Sequence, residues 1–200
     1  FGWFGFNAGS SLGANGLAVN AFVVTNTAGA AAGLTWACLD RIFNEKPTVL
    51  GTVTGAVGGL AAITPAAGYV GPFSAIIIGI VVSLLCYTAV SVLKPRLGYD
   101  DALDVFGVHC IGGIWGTIAA GLFASKAINP DGPNGLFFGN PKQFYVQLLA
   151  AAVTLAYSFI ASFIIYKAID LCIGVRVGEK EEIIGLDLTQ HHEKAYTVLE

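Results

Sequence analysis

Charge is scarce in this 200-residue sequence: Asp, Glu, Lys and Arg together make up 12%, about half of what a soluble domain carries. With 55% hydrophobic residues and a mean hydropathy of +0.71, that scarcity argues against a soluble enzyme, a nucleic-acid binder and a disordered tail. Methionine is absent, and the first residue is Phe1. The opening residues are apolar, with no basic region and no small-residue cleavage site, so they are not a signal peptide. The start reads as a cut through a longer protein, with a natural processed end as the other reading. No basic stripe is present to track a phosphate backbone, and a net charge of −3 says little about partners. Cys38, Cys86, Cys110 and Cys172 include no C-x-x-C pair. They read as small buried hydrophobes rather than metal ligands or disulfides. There is no H-E-x-x-H, no phosphate-cradling glycine loop, no carboxylate pair within a span and no nucleophile beside a base. Neither an enzyme nor a resident cofactor or metal is expected.

What the sequence does have is long uncharged runs. No charge occurs between Phe1 and Leu39, or between Pro47 and Leu93. A span takes about 20 apolar residues, so the second run must reverse. Thr64-Pro65-Ala66-Ala67-Gly68-Tyr69-Val70-Gly71-Pro72 supplies the turn. The expected spans are Leu17–Leu39, about Thr48–Ala67, Phe73–Leu93, Val105–Ser125 and Phe144–Tyr166. Phe1–Ser10 reads as the last turns of a truncated helix. The expected fold is all-α, a polytopic membrane helix bundle. Residues 1–176 form the transmembrane domain and residues 177–200 a cytoplasmic C-terminal tail. Sidedness follows from Lys and Arg. Arg41, Lys46, Lys94, Arg96, Lys167, Arg176, Lys180 and Lys194 fall on one side, and only Lys126 and Lys142 on the other. The first side is therefore cytoplasmic. Gly51, Gly55 and Gly59, and again Gly112 and Gly116, repeat every fourth residue. That spacing lets helix backbones approach closely in lipid.

His109 is the only histidine inside a span. An ionisable group there is costly and marks a functional site by default. At helical spacing it shares a face with Gly112, Gly113, Gly116 and Ala120. Such a face either packs on another helix or borders a narrow lumen, and both readings stay open. An imidazole accepts on one nitrogen and donates from the other, which suits a small nitrogen base or a proton. Asp104, with Asp100 and Asp101, stands at the cytoplasmic mouth of the same span, as a solvated helix start or as a support for His109. Phe1–Ser10 alternates aromatics with glycine, as an interfacial belt or as an aromatic gate. In the gate reading Phe6 plugs a pore and Ser10 accepts from a cation, which an aromatic face also attracts. His191 and His192 read as solvated.

Three stretches carry a resemblance. Trp-Phe-Gly-Phe-Asn-Ala-Gly-Ser (Trp3–Ser10), Asp-Val-Phe-Gly-Val-His followed by Gly-Gly (Asp104–Gly113), and Gly-Leu-Asp-Leu-Thr-Gln-His-His-Glu-Lys-Ala-Tyr (Gly185–Tyr196) resemble signatures of the ammonium transporter family (Amt/Mep, distantly Rh), in its second half. The resemblance implies an eleven-helix inverted repeat, a homotrimer in the cell membrane, and one hydrophobic pore per protomer for ammonium or ammonia. His109 resembles the second of the pore's twin histidines, Phe6 a gate phenylalanine, Ser10 the hydroxyl of the external site and Trp3 the tryptophan beside the pore. Asn7 and Asp104 belong to the same motifs as supports. The tail residues Gly185, Asp187, His191, Glu193 and Tyr196 resemble the segment that couples protomers and, in many prokaryotes, docks PII signal proteins. Two departures stand out: Cys110 where the family usually has Gly, and His192 where Gly is common. The first histidine and the other gate phenylalanine belong to the first half. A sensor signalling through the tail and an Rh-like gas channel are the alternatives.

Overall fold

The computed structural model describes residues 1–195, whose regular elements are all helices joined by turns and loops, with no strand among them. They divide into two units, 1–152 and the residues from 153 onward. In the first unit α1 spans Gly2–Gly9 and α2 spans Gly16–Phe43. Helix α2 starts where Asn15 Oδ1 accepts from the Ala18 amide, 2.9 Å, satisfying one of the donors that a helix start leaves open. Thr48 does the same for α3 (Val49–Ile63) through the Gly51 amide, 2.9 Å. Helix α4 (Pro72–Leu97) opens on proline, whose missing N–H is not needed there. It ends at Gly98 in the left-handed conformation, φ 65°. Helix α5 covers Phe106–Phe123, and α6 (Pro141–Ile173) runs into the second unit.

Helices α2, α4, α5 and α6 are long and apolar enough to cross a membrane; α3 is shorter, at 15 residues. Fifteen residues rise about 22 Å, short of the ~30 Å hydrocarbon core. The expected span of about Thr48–Ala67 is therefore helical only as far as Ile63. Thr64 keeps helical dihedrals, φ −52° and ψ −51°, but Pro65 has no N–H to continue the ladder, and residues 64–69 continue as turns. Asn20 Nδ2 holds that segment by donating to the carbonyls of Ala67 and Val70, at 3.3 and 3.0 Å.

The core is a seam of small residues. A Cβ at Gly59 would stand 2.5 Å from the Ala28 carbonyl oxygen, and one at Gly79 would meet the same oxygen at 2.5 Å. One at Gly55 would stand 2.5 Å from Trp36 Cβ, and one at Gly116 would overlap the Ala62 carbonyl. Backbones of α2, α3, α4 and α5 thus touch directly, as lipid-embedded helices do when small residues face each other. At one end of the seam, buried Asp40 accepts from Asn44 Nδ2 (3.1 Å) and from the Thr48 amide and hydroxyl (3.2 and 2.9 Å). A buried carboxylate is tolerated when its lone pairs are filled in this way. Cys86 is buried with its thiol 3.9 Å from the Val108 carbonyl, whereas Cys38 and Cys172 are exposed. The reading of all four cysteines as buried hydrophobes therefore fails for those two, which lie on outer helix surfaces.

Two stretches depart from α geometry. Ala89–Leu93 in α4 and Phe106–Cys110 in α5 are π-helical, with i→i+5 bonding that is rare and concentrates at functional sites. The two π turns pack together, since a Cβ at Gly107 would stand 2.7 Å from Val90 Cγ2. Helix α6 contains no buried residue, and Tyr157 and Phe159 are 73% and 74% exposed. Apolar surface of this kind needs a cover other than water. The second unit adds α7 (Glu179–Ile184) and α8 (Leu186–Thr189).

Candidate functional site

Helix α1 is fixed to the bundle by polar anchors. Asn7 is buried and donates from Nδ2 to Thr25 Oγ1 at 2.9 Å; Thr25 in turn donates to the Ala21 carbonyl at 2.6 Å. Asn7 therefore anchors α1 while also bordering the cavity beside Phe6. Trp3 donates from Nε1 to Thr64 Oγ1 at 2.8 Å, which fixes the indole plane. Thr64, read from the sequence only as the start of the reversal, thus holds a site residue in place.

The fixed indole brings together two residues 103 positions apart in the chain. Trp3 lies parallel to His109, with ring centroids 6.3 Å apart and 11° between planes. Phe6 also meets it, edge-on, 6.4 Å away and at 70°. Phe6, Trp3 and His109 form a line of three rings, and Phe6 and His109 are both exposed. Ser10 lies one helical turn beyond Phe6. Its hydroxyl donates to the Phe6 carbonyl at 2.8 Å. With its proton committed there, the oxygen presents only acceptor lone pairs outward, which suits a cationic donor.

A cavity opens at each end of the line. One, about 190 Å³, is bordered by Phe6, Asn7, Ser10, Thr64, Tyr69 and Asn129. The other, about 520 Å³, is bordered by His109, Cys110, Phe106, Tyr99, Asp100 and Asp101. Tyr99 buries its hydroxyl without a hydrogen-bond partner among the described residues.

The face assigned to His109 from helical spacing divides in the structure. Gly112 and Gly116 pack on α3, and Ala120 is buried. His109 is exposed, and nothing stands within 4 Å of a Cβ at Gly113. The reason is the π turn that ends at Cys110: its wider winding turns His109 away from the packed glycines. Asp104 is not the cap of this helix. Asp101 is, its two carboxylate oxygens accepting from the amides of Val105 (2.8 Å) and Phe106 (3.0 Å). Asp104 instead pairs with Lys94, Nζ to Oδ1 2.7 Å.

The tail forms its own small structure. Arg176 grips Glu182 with two bonds, 2.7 and 3.0 Å, a geometry suited to a planar guanidinium. That guanidinium holds the Glu182 carboxyl below its ordinary range. Asp187 is held low chiefly by the Ala195 amide, which donates to it at 3.0 Å. Gly185 takes φ 110°, open only to glycine. His192 sits at φ 56°, a left-handed conformation that glycine enters freely and a Cβ makes costly. His191 and Glu193 are exposed beside it. Tyr196 lies outside the described residues.

Helices long and apolar enough to span a bilayer and a packed glycine seam define a polytopic membrane helix bundle, with an open group of two aromatics and an imidazole on it. The particular family follows from comparison: residues 1–196 match the model of the Ammonium Transporter Family, and the chain belongs to that family. It is 53% identical over 196 residues to an ammonium transporter of Bacillus subtilis (strain 168), covering 98% of this chain and 48% of that protein. Among solved structures it is similar to Candida albicans Mep2, with a TM-score of 0.85, 38% identity, and coverage of 94% of this chain and 43% of that one. It is also similar to a structure titled Sensor Amt Protein, with a TM-score of 0.83, 28% identity, and coverage of 94% and 46%. The chain spans about half the length of the relatives it matches.

Proposed function

We propose that this chain is the second half of an ammonium transporter, and that Ser10, Phe6, Trp3 and His109 line one wall of its pore. The observation that carries the reading is the row of rings from Phe6 through Trp3 to His109, with a cavity at either end. The Lys and Arg distribution supports a cell-membrane orientation with Ser10 external and the tail cytoplasmic. Residues 1–176 then make the membrane domain and 177–200 the tail.

Each residue's chemistry fits a step. Ser10 Oγ accepts from the arriving ammonium ion, and the face of Phe6 attracts its charge. Beyond Phe6 the wall is apolar, and a bare charge there is strongly disfavoured. Ammonium escapes that cost by giving up a proton. Potassium has none to give and is rejected. Neutral ammonia then passes Trp3 and reaches His109, where an imidazole nitrogen accepts or donates a hydrogen bond. If the proton is relayed through histidine the transport is electrogenic; if it returns outside, the protein is a gas channel.

The test is charge movement in proteoliposomes holding the complete transporter, after an ammonium jump and after a potassium jump, in wild type and His109→Ala. An ammonium-only current that the variant lacks supports the reading. A normal current in the folded variant removes His109 from the proton path.

A second reading, a sensor signalling through the tail, is favoured by likeness to the structure titled Sensor Amt Protein and by the ordered tail turn around Asp187. Homotrimer formation and PII docking belong to the same reading of the tail. Deleting residues 185–196 then abolishes signalling and leaves flux intact.

A further inference from the structure

The two π turns are tied together by a single ammonium group. Lys94 follows the first π turn directly, and its backbone amide still donates to Ala89. Its Nζ reaches Asp104 Oδ1 at 2.7 Å and the Asp101 carbonyl at 2.6 Å. Both acceptors sit at the start of the second π turn, the one that carries His109. The pair is partly buried, its side chains 28% and 24% exposed, so water screens it less than a surface pair. Asp101 meanwhile caps Val105 and Phe106. Asp104 is held at φ 55°, a conformation that costs an L-residue free energy unless its surroundings enforce it. Gly107 lets the two turns touch. One cation thus fixes where the His109 turn begins, how it is capped and what it packs against.

We propose that Lys94, acting through Asp104 and Asp101, is a positioning residue for His109: the clasp holds α5 in its π register and keeps the imidazole in line with Trp3. Asp104 keeps its backbone bonds to Asp101 and Val108, but without the clasp its left-handed conformation loses its side-chain tie, and the turn relaxes toward α geometry. That change rotates His109 toward the glycine face and takes it out of the row. The functional arm of this proposal rests on the transport reading above; the structural arm does not.

The experiment uses the complete transporter in proteoliposomes and two readouts. The first is the ammonium current. Lys94→Gln lowers the maximal current about tenfold or more, the size of loss that small misplacements cause, while the half-saturating concentration set at the Ser10 end stays as in wild type. Lys94→Arg retains the current. Asp104→Asn, whose side chain tolerates the left-handed backbone, reproduces the loss, and the double variant is no worse than either single one. The second readout is diethylpyrocarbonate modification followed by mass spectrometry. The His109 rate departs from wild type in Lys94→Gln, while His191 and His192 serve as unchanged references. Wild-type current and His109 reactivity in Lys94→Gln overturn the proposal, as does a loss in Lys94→Arg equal to that in Lys94→Gln. If Lys94→Gln does not accumulate in the membrane, Asp104→Asn is scored by the same two readouts. If the wild type carries no ammonium current, the transport reading falls, and His109 reactivity still decides the clasp.

Discussion

Helix α5 presents two sides that differ in what stands next to them. On one side Gly112 and Gly116 lie against the backbone of α3, with no room for a methyl group at Gly116. On the other, His109 and Gly113 face open space, and His109 continues a line of rings from α1. The packed side answers to sterics alone, since at Gly116 only the absence of a Cβ lets the backbones meet. The open side answers to chemistry, because an exposed imidazole lying parallel to a fixed indole with centroids 6.3 Å apart adds little to close packing. Structure is specified where glycine is crowded, and function where polar and aromatic groups stand uncrowded.

The comparison breaks most sharply at Gly116. Gly116→Val places a side chain on the Ala62 carbonyl, and neither backbone can yield without separating α5 from α3. Overpacking of this kind costs about 3 kcal/mol or more, a large share of the stability of any fold. Folded protein is expected to be lost, read as absence of a monodisperse peak after detergent extraction. The same substitution at Gly113, where a Cβ meets nothing within 4 Å, is expected to leave extraction unchanged. Equal behaviour of the two variants would erase the distinction between the sides.

The next effect in size belongs to the open side and leaves the fold alone. His109→Leu removes the imidazole where nothing packs around it, so the extracted protein is expected to match wild type in yield and melting. The ammonium current is expected to fall or to change its carrier. If melting drops as far as the current does, His109 is a packing residue after all.

The packed side was readable from the four-residue glycine spacing, and the reversal at Thr64–Pro72 from its prolines. Phe6, Ser10 and His109 were singled out because an aromatic–glycine alternation and a histidine within a span are unusual in themselves, and Trp3 through the family resemblance; the structure sets Trp3 beside both Phe6 and His109. The π turns were not readable. They meet where Gly107 lies against Val90 across two helices, and no local period announces them, which is why His109 was assigned to the glycine face. Lys94 was counted only as a sign of sidedness, although a lysine and an acidic cluster bracketing one short loop were a signal for the pair. The tie of Thr64 to Trp3 was invisible because the two lie 61 residues apart.

A smaller effect separates anchoring from lining. Asn7→Leu strands the buried Thr25 hydroxyl without its donor, a loss of about 1–3 kcal/mol. The melting temperature is expected to fall, with the ion preference of the remaining current unchanged. A change in ammonium-over-potassium preference would place Asn7 in the pore wall.

The smallest expected effect lies in the tail and depends on pH. Glu182 and Asp187 both have carboxyl groups held below their ordinary range, the first by Arg176 and the second by the Ala195 amide. A group whose folded value is depressed stabilises the fold fully above its unfolded value and stops doing so as pH falls through the folded one. The unfolded values are about 4, so the tail turns are expected to hold from neutral pH down to about 5 and to loosen below that. The amide resonance of Ala195 reports the Asp187 step directly. Added salt separates the two: it screens the Arg176–Glu182 pair, while the Asp187 turn, closed by a neutral N–H, responds far less. An Ala195 resonance that does not move as pH falls through the carboxylate range would remove Asp187 from control of the turn.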